Sequence, residues 1–385
     1  LKAESNSWAV IAGGGTAGHV VPGLAIAEEL VTRGVPRSAV HYVGSERGIE
    51  TRLVPEAGFP LTVLPGRGIQ RRFTIENFGA ALGIVKAFFT SVRLLRRLRP
   101  VVVVGLGGYA SVPCTMAAAL LRIPVVVAEQ NAVPGAANRL ASKFAKACAV
   151  SFPGTDLPRS TVTGNPVRAE VLSVHRGDQR DAARGQLGVD PSRSLLAVFG
   201  GSLGARRINE ALFDALPEWR DRSDLAIRHV AGARDYDDLS TRVPVVSDDP
   251  ITFDLVRYED NMPLVYAAAD LVLCRSGASS VAELAVVGVP AVLVPLPGAP
   301  GDHQTANATA LVGSGGAVMI SDSELDGARL ISEVDSLLAD HDRLRDMSVA
   351  SAGSARRDAA SLVVDLVIQH ASSPIPPSPE PRNDS

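Results

Sequence analysis

The chain has 385 residues, 46% hydrophobic and 21% charged, which suffices for about two domain cores and excludes a mainly disordered chain. Its 35 Gly follow no three-residue period, which excludes collagen, and 4% aromatics argue against a stacking platform for single-stranded nucleic acid. Cys114, Cys148 and Cys274 lack CxxC spacing, arguing against a disulfide framework or a Cys-rich zinc site, and the net charge of −3 hides an asymmetry: residues 1–165 carry 18 Lys and Arg against 9 Asp and Glu, the remainder 20 against 32.

In chain order, LKAESNSWAV has no long apolar stretch before Trp8 and does not read as a signal peptide. WAVIAGGGTAG (8–18) is a short apolar strand running into a Gly loop, with a helix over 23–33. Gly13–Gly18 matches GxGxxG, whose backbone N–H groups at a helix N-terminus can hold a phosphate; a tight turn without a ligand is the alternative. A nicotinamide site needs an acid at the end of the second strand, but with that strand near 39–43 the nearest acid, Glu46, comes late. His19 falls at the helix start, where the dipole disfavours the cation and suits a neutral base; a His that only hydrogen-bonds the loop fits the spacing equally well.

Residues 67–99 interleave Phe73, Ile75, Phe78, Leu82, Val85, Phe88 and Phe89 with Arg71, Arg72, Lys86, Arg93 and other cations, and Glu76 is the lone acid. This reads as a helix over 76–98 that either lies on an anionic membrane surface or packs on a core with a solvated charged face. No nucleic-acid motif accompanies it. Residues 101–121 carry no charge and could span a bilayer by length, but Gly105, Gly107, Gly108 and Pro113 divide them into a buried strand, a Gly loop and a packed helix.

The second half echoes the first. LLAVFGGSLGA (195–205) parallels 8–18, DLVLCRSGASS (270–280) parallels 101–111, and the strand-like runs 123–131 and 289–297 correspond. Helix-like segments at 207–216 and 279–287 alternate with them. Continuous apolar strands alternating with helices mean parallel sheets covered on both faces. The fold class is therefore α/β: two tandem Rossmann-like domains facing across a cleft, divided near Gly164-Asn165-Pro166, with ligands beyond the carboxyl ends of the strands. The expected spans are 1–165, 166–353, a helix at 354–370 and a disordered Pro/Ser-rich tail at 371–385.

Gly200–Arg206 offers amides, a hydroxyl and a cation suited to a diphosphate. Glu283 stands three residues after Ser280 and reads either as a capping-box partner or as a carboxylate accepting both hydroxyls of a ribose. Asp302 and His303 would need further ligands to hold zinc, and none are evident.

Together GGGTAGHVVPGLAIA (13–27), GLGGYASVP (105–113), EQNAVPGAANR (129–139), GNPVR (164–168), GGSLGAR (200–206), CRSGASSVAEL, GVPAVLVPLP and DHQTANA resemble the MurG family, in one colinear order over about residues 8–370. That family is the UDP-N-acetylglucosamine–N-acetylmuramyl-(pentapeptide) pyrophosphoryl-undecaprenol N-acetylglucosamine transferases. The resemblance implies a GT-B glycosyltransferase with an N-terminal acceptor and membrane-facing domain, a C-terminal UDP-sugar domain and a last helix that packs back on the first. It implies inverting transfer from UDP-N-acetylglucosamine to the C4 hydroxyl of undecaprenyl-linked lipid I, giving lipid II, with no cofactor or tightly bound metal and no nucleic acid. The place would be the cytoplasmic face of the bacterial cell membrane, peripherally bound to its anionic surface. Carried over by motif, Thr16, Ala17, Gly18, Asn131, Arg168, Ser202, Glu283 and Gln304 contact the donor; Gly14, Gly15 and Tyr109 contact the acceptor; and His19, with Glu129 as its rival, is the base. Ala17 stands where many members have Gly, His303 where Gln is common, and VRYEDN (256–261) is matched too loosely to name a uracil contact. An NAD-dependent oxidoreductase, a UDP-sugar 2-epimerase and a non-catalytic nucleotide-sugar binder are the alternatives.

Overall fold

The computed structural model describes residues 6–46, 48–65, 76–201, 204–243 and 250–376, and of 76–82 the backbone alone. The chain divides into two units, 1–168 with 357–385, and 169–356.

In the first unit the order is β1 (Ala9–Gly13), α1 (Ala17–Thr32), β2 (Val40–Ser45), α2 (Glu50–Glu56), β3 (Leu61–Leu64), α3 (Glu76–Leu98), β4 (Val102–Gly107), α4 (Ser111–Leu120), β5 (Val125–Glu129), α5 (Ala136–Ala141), β6 (Ala147–Val150) and β7 (Ser160–Val162). Among the described residues these strands make one parallel sheet, ordered β3-β2-β1-β4-β5-β6-β7. Strand alternation splits its two faces: Ala9 and Ile11 pack with α1 residues Val20, Ile26 and Leu30, whereas Val10 and Ala12 pack with Leu95 of α3 and Cys114 of α4. Each fully buried aliphatic side chain stabilises the fold by about 1.5–3 kcal/mol. Residues 101–121 are β4 and α4, and no helix among the described residues is long and apolar enough to cross a membrane. Helix α1 starts at Ala17, earlier than the expected 23, and carries Pro22 inside it; burial of its apolar face offsets the backbone bond that Pro22 cannot make.

The second unit contains α6 (Ala169–Leu172), α7 (Arg176–Leu187), β8 (Ser194–Phe199), α8 (Arg206–Trp219), β9 (Leu225–Val230), α9 (Tyr236–Arg242), β10 (Thr252–Val256), α10 (Met262–Ala268), β11 (Leu271–Cys274), α11 (Ala278–Val287), β12 (Ala291–Leu293), α12 (His303–Gly313), β13 (Ala317–Met319), α13 (Gly327–Ala339) and α14 (His341–Gly353). Its described strands make a second parallel sheet, β10-β9-β8-β11-β12-β13. Buried Arg184 of α7 donates to the carbonyls of Ala268 (3.1 Å), Pro191 (3.1 Å) and Arg193 (2.7 Å) and pairs with Asp270, which also accepts from Leu195 N–H at 2.7 Å. That pair ties α7 to the starts of β8 and β11.

The last helix, α15 (Ala359–His370), belongs to the first unit, where Val363, Val364 and Val367 enter the core beside α1. Of the stretch expected to be a disordered tail, residues 371–376 dock on this unit: Ser372 N–H donates to Val101 O (3.0 Å), Trp8 Nε1 donates to Pro374 O (3.1 Å), and Ile375 packs on the core. A buried indole N–H needs an acceptor, and the returning chain supplies it. Residues 377–385 lie outside the described residues.

Candidate active site

In each sheet the strand order reverses at one point, between β1 and β4 and between β8 and β11, and loops leaving carboxyl ends at such a point form a natural ligand crevice. Among the described residues, Gly14, Gly15, Thr16 and Tyr109 lie on the loops after β1 and β4, while Glu129, Asn131 and Gln304 lie at or beyond the ends of the neighbouring strands β5 and β12.

In the first unit Thr16 is the N-cap of α1 and its side chain makes no cap bond. Its Oγ1 instead lies 3.2 Å from Nδ1 of His19, which is half-buried on the first turn. The loop after β4 closes beside it. Gly107 and Gly108 hold φ of +98° and +77°; a methyl at Gly107 would sit 3.1 Å from His19 Nε2 and 3.3 Å from Asn138 Nδ2, and one at Gly108 would strike Gly14 O at 2.5 Å. Only glycine lets the two loops and the imidazole approach this closely.

Glu129 ends β5 and is buried. One carboxylate oxygen accepts from Asn131 N (2.9 Å) and Nδ2 (3.2 Å), the other from Gly135 N (3.0 Å) and Asn138 Nδ2 (2.9 Å). Four donors on one carboxylate fix the turn between β5 and α5. Asn138 Nδ2 also reaches Ala128 O at 3.2 Å, which links this turn to the sheet beside His19. Tyr109 donates to Pro65 O at 2.9 Å, and burial, followed by the nearby charge of Glu46, raises its phenol. Glu46 directly follows β2, which runs to Ser45, but it is exposed; the acid that reaches the glycine loop is Glu50, whose Oε2 accepts from Gly15 N–H at 2.9 Å.

In the second unit Ser202 lies outside the described residues. Beyond it, Arg206 opens α8 and pairs with Asp235 at 3.3 Å. Asp235 also accepts from Arg234 (2.7 Å) and from Asn209 Nδ2 (3.1 Å), and its pKa is lowered by Arg234 foremost and then Arg206. Glu283 is not a capping partner: the N-cap of α11 is Gly277, and Glu283 sits mid-helix, 8% exposed, accepting from Tyr266 Oη at 2.9 Å. The Tyr266 ring packs edge-on against Phe199 at the end of β8, so the carboxylate is held at the reversal point between β8 and β11. Gln304 Oε1 accepts from Leu296 N–H (2.9 Å), which leaves its NH2 as the donor end, and Ser276 Oγ donates to Gln304 O (2.8 Å), joining the loops after β11 and β12. Arg228 pairs with Glu259 at 2.7 Å and with Asp254, bracing the segment expected to meet uracil. Arg168 is the last residue of the first unit's main segment.

Of the basic stretch, Phe73, Ile75, Arg71 and Arg72 lie outside the described residues, as do the side chains of Phe78 and Leu82. Phe88, expected on the membrane side, is half-buried against the core, because helical period places it with Ala87 and Val92 on the inner face. Val85 (52% exposed) and Phe89 (65%) point outward in its stead, followed along α3 by exposed Arg93, Arg96 and Arg97. No group of three or more His, Cys, Asp or Glu among the described residues could hold a metal. An open groove of about 400 Å³ between α6, α7 and α10, lined by Val174, Ala183 and Leu264, includes none of the expected site residues.

Models of the glycosyltransferase family 28 N-terminal and C-terminal domains match residues 9–150 and 195–363. The Streptomyces coelicolor UDP-N-acetylglucosamine–N-acetylmuramyl-(pentapeptide) pyrophosphoryl-undecaprenol N-acetylglucosamine transferase is 41% identical over 365 residues, 94% of this chain and 97% of that protein. The chain belongs to this transferase family. The same enzyme of Acidothermus cellulolyticus is also 41% identical, over 94% of this chain and 97% of its own. The crystal structure of Acinetobacter baumannii MurG superposes with a TM-score of 0.73 at 32% identity, covering 94% of this chain and 99% of that one. A UDP-N-acetylglucosamine 2-epimerase from Neisseria meningitidis (TM-score 0.63, 13% identity, covering 94% and 99%) shares the fold alone. The two-domain GT-B architecture and the glycosyltransferase class stand on these matches, and neither the oxidoreductase nor the epimerase reading is favoured.

Proposed function

We propose that this chain transfers N-acetylglucosamine from UDP-N-acetylglucosamine to the C4 hydroxyl of the N-acetylmuramyl unit of lipid I, forming lipid II with inversion at the anomeric carbon. The observation that carries this reading is the similarity, along nearly the whole of both chains, to transferases named for that reaction.

The acceptor is assigned to the first unit, through Gly14, Gly15 and Tyr109, and the donor chiefly to the second, through Arg168, Ser202, Glu283 and Gln304, with Thr16, Ala17, Gly18 and Asn131 contributing from the first. Glu283 receives the ribose hydroxyls; its anchoring by Tyr266 supports that role. His19 takes the proton of the C4 hydroxyl. The Thr16 Oγ1–His19 Nδ1 contact is compatible with the tautomer in which Nδ1–H donates to Thr16, and in that tautomer Nε2 is the nitrogen assigned to take the proton. The acceptor oxygen bonds to the anomeric carbon as the bond to the diphosphate oxygen breaks, and UDP departs with that electron pair. Amides of the loop before α8, with Arg206 steadied by Asp235, stabilise the leaving charge. Because four N–H donors occupy the Glu129 carboxylate, we assign it to positioning Asn131 and Asn138 rather than to proton transfer.

The exposed apolar and basic residues of α3 support peripheral binding to an anionic membrane, at its cytoplasmic face, where the lipid acceptor is presented. The test is transfer of labelled N-acetylglucosamine to a short-chain lipid I analogue. Label in the lipid fraction with equimolar UDP is expected; intact protein that binds the donor and transfers none overturns the reading.

A further inference from the structure

Glu50 appears in none of the roles above, yet it is the charged residue most tightly built into the glycine loop. It is fully buried at the start of α2. Its Oε1 accepts from Ser45 N–H (2.6 Å) and Ser45 Oγ–H (2.8 Å), and its Oε2 from Gly15 N–H (2.9 Å). Three glycines close around the side chain: a methyl on Gly14 or Gly48 would lie 2.1 or 1.9 Å from a carboxylate oxygen, and one on Gly44 would lie 2.4 Å from Cγ. The side chain therefore has no room to swing away. Gly15 itself is exposed, with φ +93° and nothing within 4 Å on its side-chain side. The residue turns its N–H inward onto Glu50 and its bare Cα outward.

We infer that Glu50 is a built-in anion of the glycine loop, a positioning residue that permanently holds the Gly15 N–H and leaves an incoming phosphate to the amides beyond it, at Thr16, Ala17 and Gly18. The inference rests on the reading of this loop as a phosphate seat on the acceptor side, and it changes the assignment above in two respects: Gly15 offers close approach, not a hydrogen bond, and the amides at Thr16, Ala17 and Gly18, given to the donor above, go to the acceptor diphosphate. A carboxylate presents two acceptor oxygens, and here both face donors only. Gln at position 50 would set an NH2 group against either Ser45 N–H or Gly15 N–H, so E50Q should release the loop while conserving size.

The experiment uses the full-length 15N-labelled chain, with amide exchange followed at Gly15 with and without inorganic pyrophosphate. In the wild type Gly15 should remain protected in both conditions while amides at 16–18 respond to pyrophosphate. In E50Q the Gly15 exchange should accelerate roughly tenfold or more, and KM for the lipid acceptor should rise about tenfold with the donor KM within about twofold. A Gly15 amide that loses its protection when pyrophosphate binds, or an E50Q that raises both KM values alike, overturns the inference. Should E50Q not fold, the wild-type exchange alone decides it. If no loop amide responds to pyrophosphate, the phosphate-loop reading fails, whereas a protected Gly15 still supports the Glu50 contact.

Discussion

At the scale of single residues, Glu283 distinguishes nucleotide recognition from helix capping. Its bond to Tyr266 and its mid-helix place give it no capping role, so Glu283→Ala should weaken UDP-N-acetylglucosamine binding by about 1–3 kcal/mol in calorimetric titration. Unchanged affinity with a lower melting temperature would contradict the ribose assignment. Two histidines make a separate, structural prediction. Burial lowers His229 to about 3, and burial with Arg97 nearby lowers His41 to about 4. Both stay neutral in the fold, while the unfolded chain takes up their protons below about pH 6.5. Stability should therefore be complete above that pH and fall as pH drops from 6.5 towards 4, by about 1.4 kcal/mol per pH unit for each histidine. His41→Gln should flatten this slope in urea titrations at pH 6.5 to 5; an unaltered slope would refute it. His19 was legible in the sequence because the GxGxxG spacing places it on the first helical turn. Glu50, Asn138 and Tyr266 were not, since each acts by reaching across to another element, which spacing along the chain does not encode.

At the scale of elements, the strands that read clearly were those buried on both faces, such as β1, β4, β8 and β11, because continuous apolar runs have no other use in a polar loop-rich chain. Edge strands such as β3 and β10 are mostly half-buried and include polar residues such as Thr62, Thr252 and Asp254, and they carried no such signal. Within the Arg-rich segment 176–193, Arg184 is wholly buried. Three backbone carbonyls and Asp270 satisfy its guanidinium, and burial lowers its pKa against the opposing pull of Asp270. Asp270→Asn leaves that cation without its counter-charge and should lower unfolding stability by about 3–5 kcal/mol, measured as a shifted urea midpoint. A midpoint within error of wild type would mean the carbonyls alone suffice.

At the scale of the whole molecule, the duplicated strand-and-loop pattern revealed two units, whereas the return of α15 to the first unit could be expected only from the family resemblance. The charge asymmetry between the halves acquires a use if the first unit meets an anionic bilayer. Phe89→Ser should then reduce sedimentation with vesicles containing acidic phospholipid, and raised salt should release the wild type, since each Lys or Arg near such a surface contributes about 1 kcal/mol. Equal binding by wild type and variant at all salt concentrations would remove α3 from the membrane contact. The most direct test of the account compares wild type with His19→Ala for donor affinity and for label transfer to the lipid I analogue. Unchanged donor affinity with turnover lower by roughly 100- to 10,000-fold is expected of a lost general base. Equal turnover in the two proteins, or a rearranged free sugar and UDP formed without any lipid acceptor, would contradict it.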